Sequence, residues 1–454
     1  MRKTFLLIFT SFFFAPLYAQ TWQELDSIAI ACFRKFEYAQ ADSFWLLAQR
    51  KIGQQDSDFG MLVFKRGDCA YYLQDYERAV GQYQLAARIY QNMGQGAIKE
   101  YLKALASTAD TYKHLEQCNQ PATLYLACLD TLKAYNLLES KEAGMAFNNI
   151  GAFYWGVGNY AKAEDCYMKS KNIKLKLLPE ELSSYATTCN NIARLYISLG
   201  LYEQAKSLLL EAQSILQKNI LTGRSSVTYE TVVANLAMVQ SKSKQYDEAE
   251  KYYLQALELR SKRLGTNHND YSTLEQNLGL MYMSQLNFEK AELILTAVRD
   301  KKLQNAGKKH SEYASICRVL GHFYETQKQF SQAETLYIEA LTALKEYNTS
   351  KKGDLRLTYT DFGRFYARQG KQEKALPLFR EAYNLKQQEI KAIFPLLSES
   401  EKLGYYKSCY DVINDLVSSL LHEATKDKTL VGEVFDILLF SKAIVFSSVV
   451  FQNV

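Results

Sequence analysis

Helix breakers are scarce in this chain, which has only 5 Pro and 21 Gly among 454 residues. Proline removes a backbone donor and glycine loses backbone entropy inside a helix. Their scarcity therefore favours long helices with short connections and excludes collagen-like or low-complexity architectures. Histidine is equally scarce: His114, His268, His310, His322 and His422 never pair at i, i+4 and never stand beside a cysteine. Such isolated ligands do not reach the coordination number a zinc site needs. No GxxxxGK[ST], GxGxxG or GxSxG string occurs, so phosphate-cradling loops and nucleophile elbows have no basis in the sequence. The acidic pairs, Glu180-Glu181 and Glu399 with Glu401, fall at or just before helix starts, where capping and the helix dipole favour them. The expectation is a protein that is not an enzyme and takes neither metal nor cofactor.

A charge excess is also missing. Lys and Arg total 54 against 49 Asp and Glu, a formal charge of +5. Nucleic acid needs a concentrated basic face, which this balance does not supply. The pairs Lys301-Lys302, Lys308-Lys309 and Lys351-Lys352 read as exposed linkers. Eight cysteines, Cys32, Cys69, Cys118, Cys128, Cys166, Cys189, Cys317 and Cys409, show neither CxxC spacing nor a metal-ligand cluster. They read as small buried apolar residues, with a bridge such as Cys166 to Cys189 as the alternative.

A bilayer-spanning run is absent too. The apolar stretch Ile437–Phe451 contains Lys442 and falls short of the roughly 20 apolar residues a span requires. At the other end, Arg2 and Lys3 precede an apolar run from Phe5 to Phe14, and Leu17-Tyr18-Ala19 offers a small residue before Gln20. That order resembles an export signal over residues 1–19 and implies a periplasmic or secreted protein, with an uncleaved anchor as the alternative. Its removal would lower the formal charge to +3, because Arg2 and Lys3 leave with no acid.

What is present is a period. Small residues recur at Ala29, Gly67, Ala109, Gly151, Ala193, Ala237, Gly279, Gly321 and Gly363, mostly 42 residues apart. Other columns travel with these anchors. Three residues later stand Tyr112, Tyr154, Tyr196, Tyr282, Tyr324 and Tyr366; twelve later, Ala41, Ala79, Ala163, Ala205, Ala249, Ala291, Ala333 and Ala375. Sixteen later come Trp45, Tyr83, Tyr125, Tyr167, Leu209, Tyr253, Leu295, Tyr337 and Phe379. Spacing i, i+4 marks one stripe of a second helix, so each unit reads as helix A, a tight turn, and helix B. Two helices approach closely only where the crossing residues are small, and one pair cannot bury both of its faces. Stability must then come from stacking neighbours in a curved superhelix.

These residues resemble the tetratricopeptide repeat over about residues 22–385, and the 42-residue period is similar to the variety found in kinesin light chains. Ser261 to Glu292, with His268 and Asp270 in its loop, matches that variety's loop-plus-helix pattern. The resemblance implies an all-α, right-handed superhelix of about nine helix-turn-helix repeats. Residues 386–454 would form a helical cap, with helical patterns over Gln387–Phe394, Ser398–Glu423 and Leu430–Phe451. That last text also resembles the bridge joining such repeats to CHAT domains, caspase-like proteases, although no catalytic His and Cys can be carried over.

The resemblance also implies a function, a scaffold that binds a protein or an extended peptide in its inner groove. Asn149, Asn191, Asn235 and Asn277 stand two residues before successive anchors and would form a ladder of amides there. An amide both donates and accepts, which suits the backbone of an extended partner; the alternative is that these residues bond to the neighbouring repeat. Arg194, His322 and Arg364, with Arg318 and Arg368 nearby, would make the groove receptive to an acidic or carboxylate-bearing partner, unless they simply form a solvated face. A second reading of the function is the regulatory half of a split caspase-like protease, and a third, the periplasmic half of a membrane sensor, would need a spanning helix after the repeats.

Overall fold

In a computed structural model of the chain, residues 21–52, 57–115, 119–178, 180–220, 227–308, 310–346, 352–394, 399–425 and 427–438 are described, and their regular elements are all helical. The export-signal residues, Cys118, Lys309 and most of the Ile437–Phe451 stretch lie outside them. The described residues belong to two compact units, one ending at Leu138 and the other beginning at Glu139.

The first unit holds three helix pairs: α1 (Trp22–Arg34) with α2 (Tyr38–Gln49), α3 (Ser57–Tyr72) with α4 (Tyr76–Asn92), and α5 (Ile98–His114) with α6 (Asn119–Ala134). The second holds six: α7 (Lys141–Gly156) with α8 (Tyr160–Lys176), α9 (Leu182–Ser198) with α10 (Tyr202–Ile220), α11 (Val227–Lys242) with α12 (Tyr246–Leu264), α13 (Asn269–Ser284) with α14 (Phe288–Ala306), α15 (Ser311–Thr326) with α16 (Phe330–Glu346), and α17 (Lys352–Arg368) with α18 (Gln372–Ile393). A further helix, α19 (Glu399–Ala424), and a helical segment at 430–438 follow. Odd numbers up to α17 are thus helices A, each followed by its helix B.

The turn from A to B is the same in repeat after repeat. Phe36, Gln74, Gly158, Gly200, Lys244, Leu286, Lys328 and Gly370 stand seven residues after an anchor, and all have positive φ. The next N–H closes back on the carbonyl three residues after the anchor, as in Asn159 N to Tyr154 O at 2.8 Å and Asn287 N to Tyr282 O at 2.9 Å. This closure, with the preceding N–H bonded back as in Gly158 N to Trp155 O at 3.0 Å, satisfies carbonyls that the helix end leaves open. Where the residue is not glycine the left-handed backbone costs about 1–2 kcal/mol. Phe36, Gln74, Lys244, Leu286 and Lys328 carry that strain, so the turn geometry is imposed by packing on both sides.

The anchors are small for lack of room, not for backbone freedom. A Cβ added at Gly151 would lie 2.7 Å from the Tyr167 ring, and one at Gly363 would lie 2.6 Å from Phe379. Each glycine sits beneath the large residue sixteen positions on, which is itself almost wholly buried. The alanine column is sealed completely, from Ala41 to Ala375. Burying each large column residue contributes about 1.5–3 kcal/mol. In the second unit a single continuous core runs from Tyr185 to Leu344, so each pair is stabilised by its neighbours.

Beyond Leu385, where the sequence register stops, α18 runs on to Ile393. Helix α19 buries Cys409, Val412, Ile413, Leu416 and Leu420 and ties itself to the last repeat through Arg364 to Asp415. Arg380 binds Glu433 through two hydrogen bonds, fixing the 430–438 segment. Among the described residues no helix is long and apolar enough to cross a membrane.

Candidate partner-binding face

Adjacent helices A meet along a repeated diagonal: the residue three before one anchor faces the residue two before the next. In the second unit this joins Asn191 Nδ2 to Asn148 Oδ1 at 3.0 Å and Asn235 Nδ2 to Asn190 Oδ1 at 2.6 Å. Arg318 donates to Asp361 in the same positions at 2.6 Å. The first unit repeats the geometry with Lys65 and Asp26, also 2.6 Å apart. One backbone register therefore carries amide pairs in two repeats and ion pairs in two others.

The amide row continues into the interior. Asn148 Nδ2 donates to Asn149 Oδ1 at 3.3 Å, and Thr188 Oγ1 lies 3.2 Å from Asn148 Oδ1. Thr188 in turn accepts from the Lys174 ammonium at 2.8 Å. Lys174 is nearly inaccessible, and its second acceptor is the Ser184 carbonyl at 3.3 Å. Burial pushes this ammonium down to about 8, against the pull of Glu181. An ammonium can only donate, so Thr188 is held as an acceptor toward the interior. Asn277, in the same column as the other three amides, makes no side-chain hydrogen bond among the described residues, and all four are partly exposed.

The expected cations lie along the same helices, most of them engaged. Arg364 donates to Asp415 at 2.8 Å, and Arg368 Nε lies 2.8 Å from Glu325. His322 Nδ1 lies 3.6 Å from that same Glu325. Burial raises the Asp415 carboxyl, and Arg364 opposes that rise. Arg194 differs, lying over the Trp155 ring at 4.9 Å. A cleft of about 420 Å³ opens between α17, α18 and α19, lined by Arg364, Arg368, Gln372, Asp415 and His422 among others.

A second interlock recurs toward helices B. The hydroxyl three residues after an anchor donates to a glutamate of the preceding repeat: Tyr196 to Glu164 at 2.5 Å, Tyr282 to Glu250 at 2.5 Å, Tyr324 to Glu292 at 2.8 Å and Tyr366 to Glu334 at 2.5 Å. Burial, reinforced by the glutamate, pushes the Tyr196 and Tyr324 phenols up to about 12. Glu334 is lowered, first by the Tyr366 hydrogen bond and then by Lys374. The tyrosines are visible in the sequence columns, whereas their glutamates are not. Their signal is the dipeptide that follows the alanine column: Ala163-Glu164, Ala249-Glu250, Ala291-Glu292 and Ala333-Glu334.

The remaining polar candidates have local duties. His268 and His310 cap helices, each accepting through Nδ1 from the N–H two residues on. His114 stacks on Tyr76 with ring centroids 4.6 Å apart. Glu181 receives Lys141 at 2.5 Å. Arg66, one residue before the Gly67 anchor, binds Asp42 at 2.8 Å and Gln49 at 2.7 Å. Cys166 and Cys189, like the other described cysteines, carry free thiols. Among the described residues no group of three or more His, Cys, Asp or Glu is placed to hold a metal ion.

A stack of two-helix units with interlocks at fixed register defines an α-solenoid, the class of protein-interaction scaffolds. The tetratricopeptide repeat family profile matches residues 142–218, 228–300 and 313–388; the chain is a tetratricopeptide repeat protein over those segments. No curated protein matches it. Among solved structures it is similar to the apo form of the quorum sensor NprR from B. thuringiensis, with a TM-score of 0.52 at 13% identity, covering 80% of this chain and 98% of that one. The apo form of RapI gives 0.51 at 15%, covering 82% and 98%. A Rap protein complexed with Competence and Sporulation Factor gives 0.51 at 12%, covering 86% and 100%. At these identities the likeness is one of fold.

Proposed function

We propose that the helix-A face of residues 139–388 receives an extended segment of a protein partner, without catalysis. The observation that carries this reading is the amide column, which is partly exposed and keeps hydrogen-bonding capacity in hand. Each amide has two donor hydrogens and an accepting oxygen; Asn235 commits one hydrogen to Asn190, and among the described residues Asn277 commits none. A row of such groups one repeat apart can pair with the backbone of an extended chain whatever its side chains. The Rap neighbour, solved in complex with Competence and Sporulation Factor, gives a solenoid of this fold that takes a ligand. Attraction for an acidic partner rests on fewer groups than the sequence suggests, because Arg318, Arg364 and Arg368 already face carboxylates of this chain. The leader-like residues 1–19 support an exported scaffold, which N-terminal sequencing of the protein from its native host would test.

Site-specific photocrosslinking tests the face itself. A benzophenone side chain placed at Asn191, Asn235 or Asn277 should capture partner, whereas one at Leu254, exposed on α12, should not. Capture only from Leu254 would move the binding surface to helices B and end the proposal. If the amides serve stacking alone, none of the three positions captures anything.

A further inference from the structure

The reading of the helix-A face as the binding surface is the premise here, and the chemistry along that face names what it would select. Four of the five expected cationic side chains, Arg318, His322, Arg364 and Arg368, face Asp361, Glu325 or Asp415. Arg194 has no carboxylate within ion-pair distance among the described residues. Its guanidinium spans from α9 to Trp155 on α7, which places the positions one and four residues after the anchor on the edge where helices A adjoin. Glu325 and Arg368, four and five residues after their anchors, meet across the same kind of edge.

In the two repeats after Arg194 these register positions are apolar except for Ser241, four residues after Ala237. Ile197 stands four residues after Ala193, Met238 one after Ala237, and Leu280 and Met283 one and four after Gly279. All four are partly exposed. The face therefore runs from one uncompensated cation, through an apolar and methionine-bearing middle, to an end where charges are internally matched. Methionine adapts its shape to varied apolar side chains, so this middle suits a partner anchored by large aliphatic or aromatic groups.

We propose that Arg194, Met238, Leu280 and Met283 select an extended segment carrying one carboxylate and large apolar side chains at three-residue steps. Neighbouring helices lie about 8–10 Å apart, and an extended chain of the polyproline-II type rises about 3.1 Å per residue with three residues per turn, so one repeat corresponds to roughly three residues of partner and every third side chain faces the same way. The carboxylate pairs with Arg194, the first apolar side chain sits on Met238, and the second sits between Leu280 and Met283. Because Arg194 is exposed, its ion pair adds selectivity more than affinity. The apolar contacts supply most of the binding.

The test probes an array of randomised nonapeptides with the fluorescein-labelled full chain, then measures resynthesised hits by anisotropy. Hits should combine Asp or Glu with Leu, Ile, Met or Phe three and six positions away. Met238→Ser and Leu280→Ser should each weaken them about tenfold, in line with roughly 1.4 kcal/mol for a lost apolar contact. Arg194→Gln should weaken them about threefold, with no further loss when the peptide carboxylate is replaced by an amide. Unchanged helical dichroism and melting show that each variant is folded. Polyacidic hits that ignore Met238→Ser and Leu280→Ser but weaken in the Asn191→Ala, Asn235→Ala, Asn277→Ala triple variant would overturn this selectivity while leaving the helix-A face as the binding surface. Hits indifferent to every one of these substitutions, or no hits at all, would overturn both.

Discussion

The diagonal between helices A is filled by amides near Asn191 and by ions near Arg318, although the backbone geometry is the same. The comparison separates two things a repeat specifies. Register is fixed by the buried columns, which leave no freedom in how one pair leans on the next. The chemistry at the diagonal is freer, because the second member of each pair, Lys65, Asn191, Asn235 or Asp361, stays partly exposed. An amide pair keeps unused donors and acceptors, whereas an ion pair neutralises itself. The two stretches should therefore respond differently to pH, truncation and salt.

The largest difference should come from Lys174, the buried ammonium behind the amide row. Its folded value of about 8 lies below the ordinary 10.5, so the unfolded chain binds the proton more tightly. The resulting penalty is fully present below about pH 8 and fades as pH rises toward 10.5. Relative to Lys174→Met, the parent protein should gain about 3 kcal/mol of stability between pH 7.5 and 10.5, read from urea melts at both values. A flat difference would mean that the ammonium is not strained by burial.

Truncating the amide row itself should cost less. Asn235→Ala leaves the buried Asn190 oxygen without its donor, a loss of about 1–2 kcal/mol that salt does not alter. In the ionic stretch, Asp361→Ala strips Arg318 of its partner. Both side chains are partly solvated, at 26% and 31% exposure, so the loss should be about 1 kcal/mol at low salt and shrink toward zero in 1 M NaCl. Equal salt dependence in the two variants would erase the distinction between the rows. The smallest effect belongs to a site on neither row: Leu286→Gly relieves a left-handed backbone at a residue 72% exposed and should raise stability by about 0.5–1 kcal/mol in thermal melts.

Much of the fold was legible because its signals are periodic and local. The anchors, the alanine column and the large residues sixteen on can be read off the sequence, and each corresponds to a buried contact. Of the turns, Gly158, Gly200 and Gly370 announce their left-handed backbone, whereas Phe36 and Leu286 give no hint of it, since packing overrides their preference. On the candidate face the column of Asn149, Asn191, Asn235 and Asn277 was visible. Its partners Asn148 and Asn190 were not, because that column is populated in only two repeats. The fate of the arginines was hidden for a different reason. Arg318 finds Asp361 43 residues away and Arg364 finds Asp415 51 residues away, separations that only the stacked structure brings into contact.

The tyrosine–glutamate interlock has an evolutionary corollary. Its spacing is 32 residues at every occurrence from Tyr196 to Tyr366, so a hydroxyl from one repeat fits the acid of any other. Excising the block from Gly279 to Leu320 would bring Tyr324 to Glu250, recreating the bond that Tyr282 makes now. A gene built this way can gain or shed whole periods by unequal recombination, with the new junction already furnished with a working joint.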